Sequence, residues 1–433
     1  MMAQHYSIRK MLALVGLGAG LEFFDFTAYA LFAHYLASNF FANSDNLVAL
    51  LNTFSVFALG YLARPLGGLV LGHIGDKQGR KKAFTYSILY MAVATLGIGC
   101  LPNYQHIGIA APILLIFLRL AQGFFMGGEL PGAATFILEH FRGHKTGFAV
   151  SLIFMCTNLG CAFASLLGVL LAHFLSMTDM LAWGWRIPFL FGFVLGLVGY
   201  FVRKHTVETP EFLDIVATKQ TLKLPLRELM KNSRRGLIVG CGIAALIASV
   251  SSFQFYLPTY FSSILHYSTQ ESYSAALLSF VLLALLTPLM GLCSDYLGRR
   301  FMLMLSAVLI GSLGYYLFVA VVQHSLYMPW LFALGLITIA APAGGCYVIS
   351  IAEQFPAIYR YSGIGFSFNF ALAIFAGLAP VVITYLIKVT HNPISPYYYL
   401  VTCSFITLIA ALLWRGLPHR KFDTSVYGDE AIR

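Results

Sequence analysis

The stretch Gly72–Phe84, GHIGDKQGRKKAF, recurs in altered form half a chain later as Gly291–Leu303, GLCSDYLGRRFML. Each copy holds a glycine, an aspartate, a second glycine and two basic residues at the same relative positions. Each copy also follows a long apolar run, the second run of its half of the 433-residue chain. A polar loop that returns in this way indicates two structurally similar halves joined in tandem.

Both loops stand among long apolar runs. The chain is 59% hydrophobic and 10% charged, with a mean hydropathy of +0.79, whereas soluble domains carry about 25% charged residues. A run of about 20 apolar residues crosses a membrane core about 30 Å thick, and its backbone must then be helical. We therefore predict an all-α membrane protein with twelve transmembrane helices, spans 1 to 12, at residues 11–36, 48–73, 83–101, 110–139, 146–175, 184–203, 235–264, 273–293, 301–322, 329–353, 362–388 and 398–416.

The distribution of lysine and arginine predicts the orientation. Of the 27 basic residues, only Arg64, Arg119, Arg186 and Lys388 fall outside the segments on one side of the twelve predicted spans. Basic residues concentrate on the cytoplasmic side of membrane proteins, so both termini are predicted to be cytoplasmic. The formal net charge of +10 then reflects a basic face beside anionic lipid and requires no nucleic-acid partner.

This topology predicts a monomeric, multi-pass protein of the cytoplasmic (inner) membrane with four segments. The segments are an N-terminal six-helix half at 1–203, a cytoplasmic linker at 204–234, a C-terminal six-helix half at 235–416 and a short tail at 417–433. The seven cysteines lie in or beside the spans without CxxC spacing, so neither disulfides nor a metal site is expected. No catalytic constellation and no ATP-binding loop is present in the sequence, so we do not expect an enzyme.

Several motifs resemble those of a known family. GHIGDKQGRKK resembles the signature loop of the major facilitator superfamily, and RLAQG at Arg119–Gly123 resembles its fourth-span motif. EFFDF in span 1, FALGYLARPLGG in span 2, QGFFMGGE in span 4 and GWRIPFL at span 6 are similar to the metabolite:proton symporters, whose members carry proline or betaine, α-ketoglutarate, citrate and shikimate. The resemblance covers nearly the whole chain. It implies a major facilitator fold, alternating access and a proton gradient as the energy source, without a cofactor.

Two features depart from that family. LPGAA follows Glu129, where members usually have an aromatic residue and further glycines, and Pro131 is expected to kink span 4. The tail after span 12 is short, so the long cytoplasmic coiled coil of the osmosensing betaine carriers is not expected.

Two acidic residues in span 1 are the candidates for proton coupling. Glu22, Asp25 and Tyr29 are spaced so that they share one helix face, near the middle of the membrane. Because a charge in the bilayer is costly, we expect Glu22 and Asp25 to face a water-accessible cavity between the halves, where they take up and release protons. The alternative is a structural ion pair with Arg64 or Arg119.

Arg119 is the principal candidate for substrate binding, because a guanidinium holds a carboxylate through two parallel hydrogen bonds. Alternatively it neutralises Glu129 or Asp25, while Arg64 is expected to pair with span 1 more than to meet substrate. Tyr256 and Tyr260, four residues apart, offer a wall for a quaternary ammonium group or simply pack. The remaining candidates, each of which is otherwise a helix–helix contact, are Tyr29, Gln122, Glu129, Asn158, Gln254 and Asn369.

The repeated loops resemble the gates of the superfamily. By that resemblance, the first loop engages the end of span 4 through the residues Asp76, Arg80, Glu139 and Arg142. The second loop engages the end of span 10 through the residues Asp295, Arg299, Glu353 and Arg360. The alternative is a set of solvated charges that only fixes the topology.

The sequence therefore predicts a proton-coupled importer of a small carboxylate-bearing metabolite. Three mid-membrane acids, Glu22, Asp25 and Glu129, stand against two arginines, so protonation of one acid balances the site. This balance favours organic acids first and betaine-like or proline-like zwitterions second. An exporter is disfavoured because span 5 lacks the Gly-Pro-Gly-Gly pattern of antiporters, and a sensor would need a signalling domain.

Overall fold

A computed structural model of the protein describes residues 8–41, 45–78, 80–140, 145–204, 233–323, 327–355 and 360–414. These residues form helices and short connections, without a β-strand among them. Ten of their helices are long and apolar enough to cross a membrane. In the place of span 3, the part Thr85–Cys100 of the helix Arg80–Cys100 is a shorter apolar stretch. The all-α membrane fold is thus confirmed, while the count of twelve spans and the cytoplasmic termini stay predictions.

In the N-terminal half, most spans are single helices. Their bounds are Ile8–Leu31 continued by Ala33–Phe40 for span 1, Asn46–Gln78 for span 2, Arg80–Cys100 for span 3, Ala110–Met126 and Glu129–His140 for span 4, Thr146–Phe174 for span 5 and Ile187–Lys204 for span 6. Short helical turns at Tyr104–Ile107, Met177–Ala182 and Gly184–Arg186 lie in the connections. Of the predicted linker, residues 205–232 lie outside the described part of the chain.

In the C-terminal half, two spans contain π-helical turns. The bounds are Arg234–Thr259 with the turn Tyr260–Ile264 for span 7, Thr269–Leu297 for span 8, Arg299–Val322 for span 9, Met328–Gly344 and Tyr347–Ala352 for span 10, Arg360–Ala371, Leu372–Gly377 and Ala379–Thr390 for span 11, and Pro396–Leu413 for span 12. The second repeat loop is therefore almost entirely helical. Only Gly298 interrupts it, with φ of +91°, a conformation that glycine adopts at little cost.

Span 4 is broken where Pro131 predicts a kink. The helix stops at Met126 and resumes at Glu129, so the break includes Gly127. A proline ring clashes with the carbonyl four residues earlier and offers no N–H to it, and here that carbonyl belongs to Gly127. The Nδ2 atom of Asn369 in span 11 donates to this carbonyl oxygen at 2.8 Å. The break in one half is thus bonded to a side chain of the other.

Small residues allow the spans to approach closely, as is usual between membrane helices. Gly123 of span 4 lies directly against the backbone of Gly60 in span 2, where a Cβ atom would not fit. Between the halves, Gly168 of span 5 lies against the ring of Tyr273 in span 8, again without room for a Cβ. Spans 5 and 8 consequently run side by side along the boundary between the two halves.

Candidate proton-coupling and substrate site

Asp25 lies inside the N-terminal half. Its side chain is buried, and Oδ2 accepts a hydrogen bond from Thr95 Oγ1 of span 3 at 3.2 Å. The other oxygen, Oδ1, contacts no hydrogen-bond donor of the described residues and packs against Gly192 of span 6, where a Cβ would collide with it. Asp25 therefore faces spans 3 and 6, and the expectation that it faces a cavity between the halves is not met in this structure. Thr95 and Gly192 explain why Asp25 faces this way: Thr95 donates a hydrogen bond to its carboxylate, and Gly192 lacks the Cβ atom that would collide with it.

A continuous chain of hydrogen bonds links Asp25 to Arg119. Thr95 Oγ1 accepts from Gln122 Nε2 at 2.7 Å, and Gln122 Oε1 accepts from Arg119 Nη1 at 2.8 Å. Thr95, Gln122 and Arg119 are each completely buried. Arg119 is thus connected to the acid of span 1 indirectly, through two neutral side chains, rather than by an ion pair.

The two buried arginines contact one and the same aromatic ring. The Cζ atoms of Arg64 and Arg119 are each 4.2 Å from the ring centroid of Phe26 in span 1. Tyr61 and Tyr29 supply a second ring to Arg64 and Arg119 respectively, also at 4.2 Å. Such cation–π contacts stabilise a desolvated guanidinium. Arg64 thus contacts span 1 through this ring, while its pairing with an acid of span 1 stays a prediction.

Arg119 retains hydrogen-bonding capacity. Its Nε and Nη2 atoms have no hydrogen-bond partner among the described residues. On Arg64, Nε lacks a partner too, but Nη2 lies 2.7 Å from Met126 Sδ. Unsatisfied buried donors are costly and are therefore strong candidates for ligand contacts. The alternative neutralising partner, Glu129, begins the second helix of span 4, and its side chain lies outside the described part.

An aromatic layer covers Arg119 on the side of the C-terminal half. Tyr29 donates its hydroxyl to the carbonyl of Thr53 at 3.1 Å and stacks on Phe57, with ring centroids 6.2 Å apart. Phe54, also on span 2, packs against Tyr256 of span 7 with a centroid distance of 5.1 Å. Aromatic rings of spans 1, 2 and 7 thus adjoin one another beside Arg119.

The remaining substrate candidates are dispersed. Tyr260 donates to the carbonyl of Pro393 at 2.7 Å, and Asn158 donates to the carbonyl of Phe154 in its own helix at 2.7 Å. Together with Asn369, these side chains are thus engaged by backbone. By contrast, Gln254 Oε1 is buried without a hydrogen-bond partner among the described residues. Tyr256 has its hydroxyl 3.0 Å from Thr384 Oγ1.

A cavity of about 390 Å³ lies between the halves, at the end opposite the repeat loops. It is bounded by the ends of spans 1, 2, 7 and 8, and His34, Tyr35, Ser263 and Tyr273 are among its lining residues. His34 Nδ1 and Ser263 Oγ, from opposite halves, are 3.2 Å apart. The predicted substrate residues do not line this cavity.

The second repeat loop joins the two halves. Asp295 accepts from the backbone N–H groups of Gly147 and Phe148 at 2.9 and 3.0 Å, in the first turn of span 5, where the helix dipole favours an anion. Arg299 donates to Thr146 Oγ1 at 2.8 Å and forms an ion pair with Glu353. The expected contact of Arg299 with the end of span 10 is present, whereas Asp295 bonds the backbone of span 5 and lies 3.3 Å from Arg299 Nη2 of its own loop.

The other gate residues are not described. The side chains of Asp76, Arg80, Glu139 and Arg360, and the whole of Arg142, lie outside the described part of the structure. At the opposite end of the molecule, Lys388 Nζ bonds Asp45 Oδ2 across the halves at 2.8 Å. Donation from Lys388 lowers the pKa of the Asp45 carboxyl below its ordinary value.

Sequence reasoning identified Glu22, Asp25, Arg119 and Gln122 but missed Thr95 and Gly192. A threonine in an apolar span is common and gives no signal of its own partner. Phe26 was within the EFFDF motif, but its contact with both guanidiniums depends on how spans 1, 2 and 4 pack.

An all-helical membrane protein with two contacting halves and a buried polar network has the architecture that transporters of small molecules share, and the comparisons with known proteins decide whether this chain is one. The model of the Major Facilitator Superfamily matches residues 15–286, and that of "Sugar (and other) transporter" matches 214–425. The chain belongs to the Major Facilitator Superfamily and is a multi-pass protein of the cytoplasmic membrane, not an enzyme.

Curated relatives extend over nearly the whole chain. It is 32% identical to the glycine betaine/proline/ectoine/pipecolic acid transporter OusA of Dickeya dadantii, over 95% of this chain and 84% of that protein. It is 31% identical to the proline/betaine transporter of Escherichia coli K12, with the same coverage, and 34% identical to a putative proline/betaine transporter of Staphylococcus aureus, over 92% and 86%. The solved structure of the proton:xylose symporter XylE has a similar fold, with a TM-score of 0.74, 17% identity and 94% coverage of both chains.

Proposed function

We propose that the protein is a proton-coupled symporter that imports a small zwitterionic solute of the betaine and proline type. The observation that carries this proposal is the relatives, which are named for betaine and proline and align over more than nine-tenths of the chain. The relatives favour a zwitterion as the substrate, whereas the balance of charges in the sequence favours an organic acid.

The site is chemically suited to such a solute. The carboxylate of a zwitterion would bond Arg119, whose Nε and Nη2 atoms have no partner among the described residues. The cationic end needs an electron-rich surface and no counter-charge of its own, and the rings of Phe54 and Tyr256 meet at the boundary between the halves. Because the solute carries both charges, it adds no net charge to a site in the membrane.

Proton coupling is assigned to Asp25, with Glu22 one turn away on the same helix. Asp25 binds a proton when the site opens to the outside and releases it when the site opens to the cytoplasm. The free energy of the proton gradient then drives accumulation of the solute, and no other cofactor is required.

Alternating access is assigned to the relative movement of the two halves, 1–203 and 235–416. The contacts of Asp295 and Arg299 with the start of span 5 keep the molecule closed at the end where the repeat loops lie. The Lys388–Asp45 and His34–Ser263 contacts join the halves at the other end. Opening either end requires that one set of contacts breaks while the other persists.

Uptake into proteoliposomes tests the function. Radiolabelled glycine betaine and proline are offered beside α-ketoglutarate, citrate and shikimate, with an imposed inward proton gradient. We expect accumulation of the zwitterions, abolished by a protonophore. Accumulation of the organic acids alone would reinstate the order expected from the charge balance, and accumulation without a proton gradient would exclude symport.

A further inference from the structure

The hydroxyl of Thr95 lies between two acceptors. Its Oγ1 atom is 3.2 Å from Asp25 Oδ2 and 3.0 Å from the carbonyl oxygen of Met91, one turn earlier in span 3. The same oxygen accepts from Gln122 Nε2. A hydroxyl has one proton and two lone pairs, so Thr95 donates to one of the two acceptors at a time. Thr95 is completely buried and does not contact bulk water in this structure. Which of the two acceptors receives its proton therefore depends on whether Asp25 is ionised.

We propose that Thr95 is a positioning residue that transmits the protonation state of Asp25 to Arg119 through Gln122. The inference rests on the proposed function, because it concerns how the proton and the solute are coupled. When Asp25 is ionised, Thr95 donates to its Oδ2. When Asp25 is protonated, the new O–H donates to Thr95 Oγ1, and Thr95 turns its own proton to the Met91 carbonyl. One proton enters from the open side of the membrane and leaves when the sequence reverses, and no other bond forms or breaks.

This reversal changes how firmly Arg119 is held. A hydroxyl that donates to an anion becomes a stronger acceptor, and hydrogen bonds in a chain polarise one another. Ionised Asp25 therefore strengthens the bond from Gln122 to Thr95, and with it the bond from Arg119 Nη1 to Gln122 Oε1. Protonation weakens both bonds, so Nη1 can turn to a solute carboxylate together with Nε and Nη2. Proton binding thus favours solute binding, which is the order that symport requires.

Other charged and titratable groups are buried in the same half but do not replace this link. Glu22 lies one turn from Asp25 on span 1, and the others are Arg64 and Tyr61 on span 2, Arg119 on span 4 and Cys161 on span 5, while span 6 presents Gly192. Their fields act on Asp25 in every variant of Thr95 alike. Of the described residues, only Thr95 donates a hydrogen bond to Asp25.

Exchange at equal pH on both sides tests the link. The full chain is reconstituted as wild type, Thr95→Val, Thr95→Ser and Thr287→Val, and the half-saturating concentration of glycine betaine and of proline is measured between about pH 5 and pH 8. Thr287 is the matched control, because it is buried and donates to the carbonyl four residues earlier, without an acid beside it. We expect affinity to rise by about tenfold towards acid pH in wild type. The same rise is expected in Thr95→Ser and Thr287→Val, and no rise in Thr95→Val. A preserved rise in Thr95→Val would overturn the inference, and so would its loss in Thr287→Val.

A second readout is independent of transport. The infrared band of the protonated Asp25 carboxyl, identified by its absence in Asp25→Asn, is followed against pH in solute-free protein. In Thr95→Val we expect the band to persist to higher pH, because the ionised form has lost its donor; Thr95→Ser should follow wild type. An unmoved band would overturn the role of Thr95. If the band moves as expected but neither zwitterion is exchanged, the substrate proposal fails while the role of Thr95 stands.

Discussion

The two halves share a loop motif but differ in what they bury. The first half places Glu22, Asp25, Arg64 and Arg119 in its interior, each no more than 3% exposed. In the second half, Asp295 of the repeat loop has a buried side chain, but the other buried polar residues that the structure describes are neutral, chiefly serine and threonine with Gln254 and Asn369. Because each charge in a membrane is costly, the concentration of four in one half is the reason why we propose that proton coupling resides there. The second half then supplies gate contacts and a neutral surface.

The largest effect is expected from the acids of the first half. Asp25→Asn should abolish pH-driven accumulation, because an amide cannot carry the proton, while exchange at equal pH persists in Asp25→Asn or in Glu22→Gln. Uptake with and without a gradient measures both. Asp179→Asn, exposed in the connection after span 5, is the control for the loss of an acid elsewhere. If Asp25→Asn and Glu22→Gln both still concentrate solute normally, coupling does not reside in span 1.

The next effect is expected at Arg119. Arg119→Lys should reduce uptake by about a hundredfold, because an ammonium cannot reproduce the planar guanidinium fork that bonds a carboxylate through two parallel hydrogen bonds. Uptake at a fixed low solute concentration is the measurement. Arg186→Lys, in the connection before span 6, controls for the loss of a guanidinium elsewhere. Uptake by Arg119→Lys at the level of the control would exclude a two-pronged contact.

A smaller effect is expected at the gate of the second half. Asp295→Asn weakens the charge-assisted bonds to the start of span 5, each worth about 1.5–3 kcal/mol, which shifts a two-state balance by roughly tenfold or more. A cysteine placed at Ser151, which lies against Gly291 of the other half, should then react faster with a reagent from the cytoplasmic side. Asp179→Asn, exposed in the connection after span 5, is the matched control. Unchanged labelling in Asp295→Asn would show that the charges of the loop only fix the topology and do not act as a gate.

The smallest effect is expected at the hydrogen bond between Asn369 of the second half and Gly127 of the first half. Asn369→Ala leaves the carbonyl of Gly127 without its donor, which costs about 1–3 kcal/mol if the group stays buried. Pro131→Ala supplies an N–H four residues after that carbonyl, so the loss of Asn369 should cost less in the double variant. Chemical denaturation of all four proteins gives the coupling energy. Additive effects would show that the carbonyl is satisfied in another way.

Part of the site could be predicted from the sequence. The spacing of Glu22, Asp25 and Tyr29 places them on one helix face whatever the neighbours are, and the break near Pro131 follows from its missing N–H. The bonds from the start of span 5 to Asp295 could not be predicted, because a carboxylate bonds equally well to arginine or to the free N–H groups of a helix start, and Asp295 bonds both. Only the packing of span 8 against span 5 brings those N–H groups within reach.

The sequence by itself determined that the chain is a helical membrane protein with a repeated loop and a few costly charges. It could do so because lipid accepts only internally bonded backbone, which makes composition and run length decisive. Tertiary structure alone decided which way those charges face. Helical spacing sets the position of Asp25 relative to Glu22, but Thr95 and Gly192, from spans 3 and 6, determine that Asp25 is enclosed by the first half. Such neighbours are distant in the chain, and their contacts depend on the packing of the whole helix bundle.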